Sequence, residues 1–241
     1  MATLLLFRDD AYQTETSAVV TALTPEGGIV VDRTVFYANA GGQPGDRGTL
    51  IRADGCEIDI ETAVYGPSKV DVIHVPAPAA ALPELGEAVT LRLDWPTRHK
   101  RMRMHTALHL LSVALSLILP FPVTGGSIGE EESRLDFDIP DAGLDKDAIT
   151  AKLAEMIATG ARVTERWISD DELLANPGLV KTMSVKPPMG SGKVRLVDIE
   201  GIDLQPCGGT HVRSLDEIGA VQVTKIEKKG QQNRRVRLAW A

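Results

Sequence analysis

The chemically richest stretch of the 241-residue chain is LQPCGGTHVRS, Leu204 to Ser214. It sets a thiol at Cys207 and an imidazole at His211, with Gly208 and Gly209 in the turn between them. The only other cysteine, Cys56, stands in the strand-like run CEIDIETAV, so a disulfide is hard to arrange. A C-x3-H pair is instead half of a tetrahedral zinc site, because thiolate and imidazole are zinc's usual ligands. A matching half stands in HTALH, where His105 and His109 at i, i+4 spacing share one helix face. Either pair alone is explained by ordinary hydrogen bonding. Together they supply four ligands of the types zinc takes. The pairs lie far apart in the chain, so this is no C2H2 finger, and the fold must bring them together.

Two other patterns fail on inspection. GSGKV (Gly190–Val194) looks like a phosphate-binding loop, but Pro187 stands where the upstream glycine belongs and Val194 where a hydroxyl belongs. No ATP site is expected. HTALH also lacks the Glu of H-E-x-x-H, so the general base of a zinc protease is missing.

The elements that must position the ligands follow from periodicity and punctuation. A long helix carries HTALH: Asp94 is its N-cap, Pro96 suits its first turn and Pro120 stops it. Ser112 and Ser116 continue the histidine face as a narrow polar stripe. Before the helix, AVVTAL, GGIVVDRTVFY, GTLIRA, CEIDIETAVY and KVDVIHV are short strands separated by turns, which predicts a small barrel or curled sheet over residues 1–93. PAPAAALPELGE is a loop on that barrel or the approach to a domain boundary.

Residues 94–241 mix helices and strands without βαβ regularity, hence α+β. VTGGSIGEEESRLDFDI reads as strand, turn, strand. LDKDAITAKLAEMIATG is an amphipathic helix with Ile149, Leu153, Met156 and Ile157 on one face. ARVTERWI is a strand, DDELLA a short helix, KVRLVDIEGI a strand entering the CGGTH turn, and AVQVTKIEK with RRVRLAW a closing hairpin.

Composition narrows the class. With 43% hydrophobic and 24% charged residues the chain can bury a proper core, and no segment is disordered by composition. MATLLLFRDD has no basic flank or cleavage site, so it is not read as a signal peptide. The apolar run within Ala107–Leu119 is interrupted and too short to span a bilayer. No membrane is expected, and two unpaired cysteines suit a reducing cytoplasm.

The net charge of −7 argues against indiscriminate nucleic-acid binding. Two basic clusters remain as candidate phosphate contacts: RHKRMR with Arg98, Lys100, Arg101 and Arg103, and KIEKKGQQNRRVR with Lys228, Lys229, Arg234 and Arg235.

TVFYANAGGQPGDRGTL, RMHTALHLL, RLDFD and DLQPCGGTHVRSLDEIG, in this order, resemble the editing region of alanyl-tRNA synthetases. The match is closest to freestanding alanyl-tRNA editing proteins of the AlaX family, of the longer type that keeps the N-terminal barrel. The resemblance implies a small N-terminal β-barrel followed by a two-layer α/β editing domain with a zinc ion held by His105, His109, Cys207 and His211. It implies hydrolysis of the ester joining a wrong amino acid, chiefly serine and secondarily glycine, to alanine tRNA. The synthetase's aminoacylation domain has no counterpart here. One departure concerns the loop after the helix, where the synthetase site carries Gln and this chain reads VTGGS, with Thr124 at that position.

On this resemblance the Gly208–Gly209 N–H groups are candidate oxyanion donors, and Thr124 is the candidate reader of a serine hydroxyl. Zinc would either acidify a water or hold the substrate while free water attacks, and both remain open. The basic clusters would meet the acceptor-stem phosphates. Gly41, Gly42, Gln43 and Asp46 of GGQPGD are assigned to a domain interface or tRNA docking. Two other classes stay open: a zinc hydrolase for a small ester, or a non-catalytic zinc module that binds tRNA.

Overall fold

The computed structural model describes residues 2–118, 122–139, 143–181, 192–230 and 233–241. Pro120, Pro187, Gly190, Ser191, Gln231 and Gln232 lie outside them. The chain forms two compact units, Met1–His99 and Lys100–Ala241.

The first unit contains β1 (Leu4–Leu5), β2 (Glu15–Leu23), β3 (Ile29–Val31), β4 (Arg33–Thr34), β5 (Gly48–Arg52), β6 (Glu57–Tyr65), β7 (Val72–Pro76) and β8 (Ala88–Leu93). Strands β2-β3-β7-β6-β5-β8 close a barrel, and β1 pairs in parallel with β4. Period-two alternation drives the closure: Ile58 and Ile60 of β6 and Val89, Leu91 and Leu93 of β8 point inward, joining Val20, Ile29, Val31 and Leu50. PAPAAALPELGE is a loop of this barrel, between β7 and β8.

One expectation fails here. GGIVVDRTVFY is not one strand: β4 ends at Thr34, and Val35, Phe36 and Tyr37 leave the ladder. The GGQPGD turn takes over their backbone. Asp46 Oδ2 accepts from the Tyr37 N–H at 2.6 Å, while Arg98 donates to Val35 O at 2.7 Å and Ala11 O at 2.9 Å. Asp46 and Arg98 form an ion pair whose side chains are 2% and 0% exposed. Within the turn, Gly45 is required by close approach, since a Cβ there would lie 2.0 Å from Ala63 O.

The first unit ends inside α1 (Trp95–Ile118). Asp94 caps this helix as expected: its carboxylate accepts from the Thr97 N–H at 3.2 Å and the Thr97 hydroxyl at 2.7 Å.

The second unit adds β9 (Val123–Ser127), β10 (Glu132–Asp138), α2 (Lys146–Ile157), β11 (Val163–Ser169), α3 (Asp170–Ala175), β12 (Lys193–Ile199), β13 (Asp203–Pro206), β14 (Val221–Lys228) and β15 (Asn233–Trp240). It holds two antiparallel sheets, β14-β15-β10-β9 and β11-β12-β13. Helix α2 buries Ile149, Leu153 and Met156 and packs against β14. KVRLVDIEGI, expected as one strand entering CGGTH, is instead β12 followed by a turn at Gly201 (φ 71°). β13 then runs back along β12 and delivers Cys207. That second strand also carries Asp203 and Gln205.

Candidate metal centre

Helix α1 and the turn after β13 bring the two ligand pairs together. The ligand atoms of His105, His109, Cys207 and His211 all lie within 4.8 Å of one another. Cys207 Sγ is 3.6 Å from His105 Nε2 and 3.3 Å from His211 Nε2. A tetrahedral zinc site with its usual bond lengths would separate sulfur from nitrogen by about 3.6 Å. The three imidazole rings converge, with centroids 4.3, 4.7 and 5.3 Å apart. All three histidines are buried.

The outer faces of the His211 and His109 rings are fixed by neighbours. The Thr106 hydroxyl donates to Met102 O at 2.9 Å, so its oxygen accepts from His211 Nδ1–H at 3.2 Å. That tautomer leaves a lone pair on Nε2, facing Cys207. His109 Nδ1 meets Gln205 Nε2 at 3.0 Å and Asp203 Oδ2 at 3.4 Å. Asp203 accepts from Gln205 at 2.5 Å and pairs with Lys181. Partners of this kind orient imidazoles toward a metal. Arg195, buried in β12, donates to Cys207 O at 3.0 Å and Gly209 O at 2.8 Å and is held by Glu165, which fixes the CGGTH turn.

Charge tells the same story. Burial opposes ionisation of the Cys207 thiol, yet the His105 and His211 imidazoles lower its pKa well below the usual thiol range. His211 is lowered to about 3 by burial and the neighbouring His105, so it is neutral. Burial opposes charge on His109, but its contacts with Asp203 and Cys207 raise it to about 9. Asp203 stays ionised against burial because His109 and Lys181 face it. Two anions thus call for positive charge at the centre, and a thiolate at Cys207 with a neutral imidazole at His211 is the state in which those two groups bind a metal cation.

The glycine turn has open valences. Among the described residues, neither the Gly208 nor the Gly209 N–H donates to the protein. A Cβ at Gly208 would meet nothing within 4 Å, and its φ is not left-handed, so the turn itself does not demand glycine there. Thr124, on β9, accepts from Asn233 Nδ2 of β15 at 2.9 Å.

The basic clusters divide. Arg98 is a correction: it is fully buried in the first unit and paired with Asp46, so it presents no surface to a phosphate. Arg101 and Arg234 are buried too, Arg101 against Glu130 at 3.0 Å. Arg103 stacks 4.4 Å over Trp240 and donates to Ile218 O, and Arg235 grips Asp136 at 2.8 and 3.0 Å. Lys228 and Lys229 are exposed, and Lys100 is partly exposed, pairing with Glu131 at 2.5 Å. In GGQPGD, Gln43 and Asp46 are buried within the first unit, whereas Gly41 and Gly42 form an exposed tip. The residues missed from sequence are Asp203, Gln205, Lys181, Thr106, Arg195 and Asn233. Alternation was the available signal, since Asp203 and Gln205 precede Cys207 at every second position.

Comparison with known proteins agrees in kind. Residues 194–237 match the threonyl and alanyl tRNA synthetase second additional domain, and residues 3–97 match the class II (A) tRNA synthetases. The alanyl-tRNA editing protein AlaX-M of Methanosarcina acetivorans is 34% identical, with 97% of each chain covered. AlaX-M of Saccharolobus solfataricus is 30% identical over 96% of each. The alanine–tRNA ligase of Methanococcus vannielii is 31% identical over 94% of this chain but 25% of its own length. The barrel and the His/Cys site thus sit in an editing-type relative of class II synthetases. The chain belongs to the alanyl-tRNA editing protein family.

Proposed function

We propose that this protein is a zinc-dependent trans-editing hydrolase that deacylates mischarged tRNA(Ala), chiefly Ser-tRNA(Ala) and secondarily Gly-tRNA(Ala), in the cytoplasm. The convergence of His105, His109, Cys207 and His211, with the outer nitrogen of His211 occupied by Thr106 and that of His109 by Gln205 and Asp203, carries this reading. Zinc held by those four residues would supply positive charge that polarises an ester carbonyl and makes water acidic. The chain's own groups do the rest. Cys207 and His211 arrive in ligand form, and Asp203 and Gln205 orient His109. The undonated N–H groups of Gly208 and Gly209 stand ready for the oxyanion of an ester under attack. Thr124 reads the serine hydroxyl. Lys100, Lys228 and Lys229 meet acceptor-stem phosphates, and the exposed Gly41–Gly42 tip is a docking point. No helix among the described residues is long and apolar enough to cross a membrane. Deacylation of Ser-tRNA(Ala) against Ala-tRNA(Ala), with and without chelator, tests the reading.

A further inference from the structure

The sheet that delivers Cys207 carries more than ligands and their supports. β12 pairs Arg195 with Trp167 of β11. The Cys207 N–H donates to Arg195 O at 3.1 Å, which extends the β12–β13 register by one residue. Trp167, Arg195 and Cys207 therefore form one row across the three strands. Residues opposite one another in antiparallel strands point to the same face, so the indole shares the face of the thiol. The next row is Glu165, Val197 and Gln205, from which Gln205 reaches His109 and Glu165 reaches Arg195. The opposite face carries Val194, Leu196 and Leu204, which pack with Leu173 and Ile168 in a separate apolar cluster. Strands lie about 4.8 Å apart, which puts the Trp167 backbone roughly 10 Å from that of Cys207.

The other two tryptophans are already partnered. Trp95 stacks on His99 with ring centroids 5.2 Å apart, and Trp240 lies under the Arg103 guanidinium at 4.4 Å. Trp167 has no such ring or cation partner among the described residues, and at 43% it is the most exposed aromatic side chain there. A single exposed apolar side chain is ordinary. This one stands on the face of a metal centre. Lys193, exposed, follows on the same face of β12 one row further out, opposite Ser169. On the inner side the Glu165 charge is matched by Arg195. An open aromatic face with a cation beside it suits a nucleotide, the base on the ring and the phosphate near the ammonium.

We propose that Trp167 is the stacking platform for the base of the nucleotide that bears the ester. The proposal rests on the tRNA deacylation reading and adds the place of the terminal nucleoside: over β11, with its acylated ribose directed along the row toward Cys207 and the Gly208–Gly209 turn. A nucleoside with its acyl group is long enough to span that row. Every base has a π-face, so the indole holds the end of the chain without reading its sequence.

The test measures hydrolysis, by the zinc-loaded full chain, of Ser-tRNA(Ala) and of Ser-tRNA(Ala) whose terminal nucleotide lacks its base. Parent, Trp167→Ala and Trp167→Phe are compared, with zinc content and thermal melting read on the same samples. On the natural substrate Trp167→Ala lowers kcat/KM by about tenfold, the scale of one lost base–aromatic stack, and does so mainly through KM. Trp167→Phe keeps a ring and recovers most of that loss. Removing the base costs the parent a similar factor. Trp167→Ala then adds less than about twofold, as for two partners of one contact. The proposal is overturned if Trp167→Ala matches the parent on the natural substrate, loses the same factor on both substrates, or is not rescued by Phe. If the parent itself leaves Ser-tRNA(Ala) intact, the deacylation reading falls and takes the proposal with it.

Discussion

Gly208 shows how much one residue can decide. Its neighbours hold the metal centre, yet a methyl group there would touch no protein atom, and its backbone would accept one. Folding alone therefore does not explain glycine at this position; in the proposed function it admits close approach of a substrate carbonyl. Gly208→Ala is expected to keep full zinc content and melting temperature while slowing Ser-tRNA(Ala) hydrolysis by about 10²-fold, the scale of a displaced reacting group. An alanine variant as fast as the parent would remove Gly208 from the site. The His105, His109, Cys207 and His211 cluster was legible in the sequence because thiol and imidazole are scarce and their spacing is periodic. Asp203 and Gln205 were not recognised, since common polar residues gain meaning only when a strand aims them. Arg98 was misread for the opposite reason: charge in a basic run looks solvated until a buried Asp46 is found opposite it.

At the scale of elements, the barrel hides a titratable group. His74 of β7 is fully buried, 2.8 Å from Thr34 Oγ1 and 3.1 Å from Ile29 O, with the Phe36 ring edge-on at 5.1 Å. Burial lowers it to about 4. An unfolded histidine titrates near 6.5, so between about 6.5 and 4 the unfolded chain binds the extra proton. Stability linked to His74 is therefore full above about 6.5 and is lost as pH falls toward 4, on the order of 3 kcal/mol in all. Urea unfolding of the full chain at pH 7 and pH 4.5 checks it, with His74→Gln expected to flatten the difference. Equal losses in parent and variant would show that His74 is not held neutral by the fold. The barrel strands were legible because alternation and turn residues agree, and Asp94 marked the start of α1. The bulge that leaves Thr124 without a partner on β10 and the reversal at Gly201 were not, because each interrupts a run whose composition stays strand-like.

Over the whole molecule, an acidic chain of net charge −7 has to dock an anionic substrate through local charge. Most arginines of the two basic clusters are committed to carboxylates, carbonyls or Trp240, which leaves lysines for the task. Lys228→Glu with Lys229→Glu is expected to weaken tRNA binding and to reduce the salt slope by up to about 0.9 for each phosphate that is no longer neutralised. An unchanged slope would make these lysines ordinary solvated charges. The editing resemblance was legible along most of the chain, since its motifs occur in both halves and the relative from Methanosarcina acetivorans aligns over 97% of each chain. Which of the basic residues reach solvent was not, because burial is a property of the fold. The central claim is zinc-dependent removal of serine from alanine tRNA by the His105, His109, Cys207 and His211 site. The direct measurement is deacylation of purified Ser-tRNA(Ala) and Ala-tRNA(Ala) by the parent, before and after chelation and zinc restoration, beside His105→Ala and Cys207→Ala. The account predicts rapid loss of serine, sparing of alanine, abolition by chelator, recovery with zinc, and inactive variants that no longer bind stoichiometric zinc. Undiminished serine removal by the chelated protein, or by a variant still holding stoichiometric zinc, would contradict it.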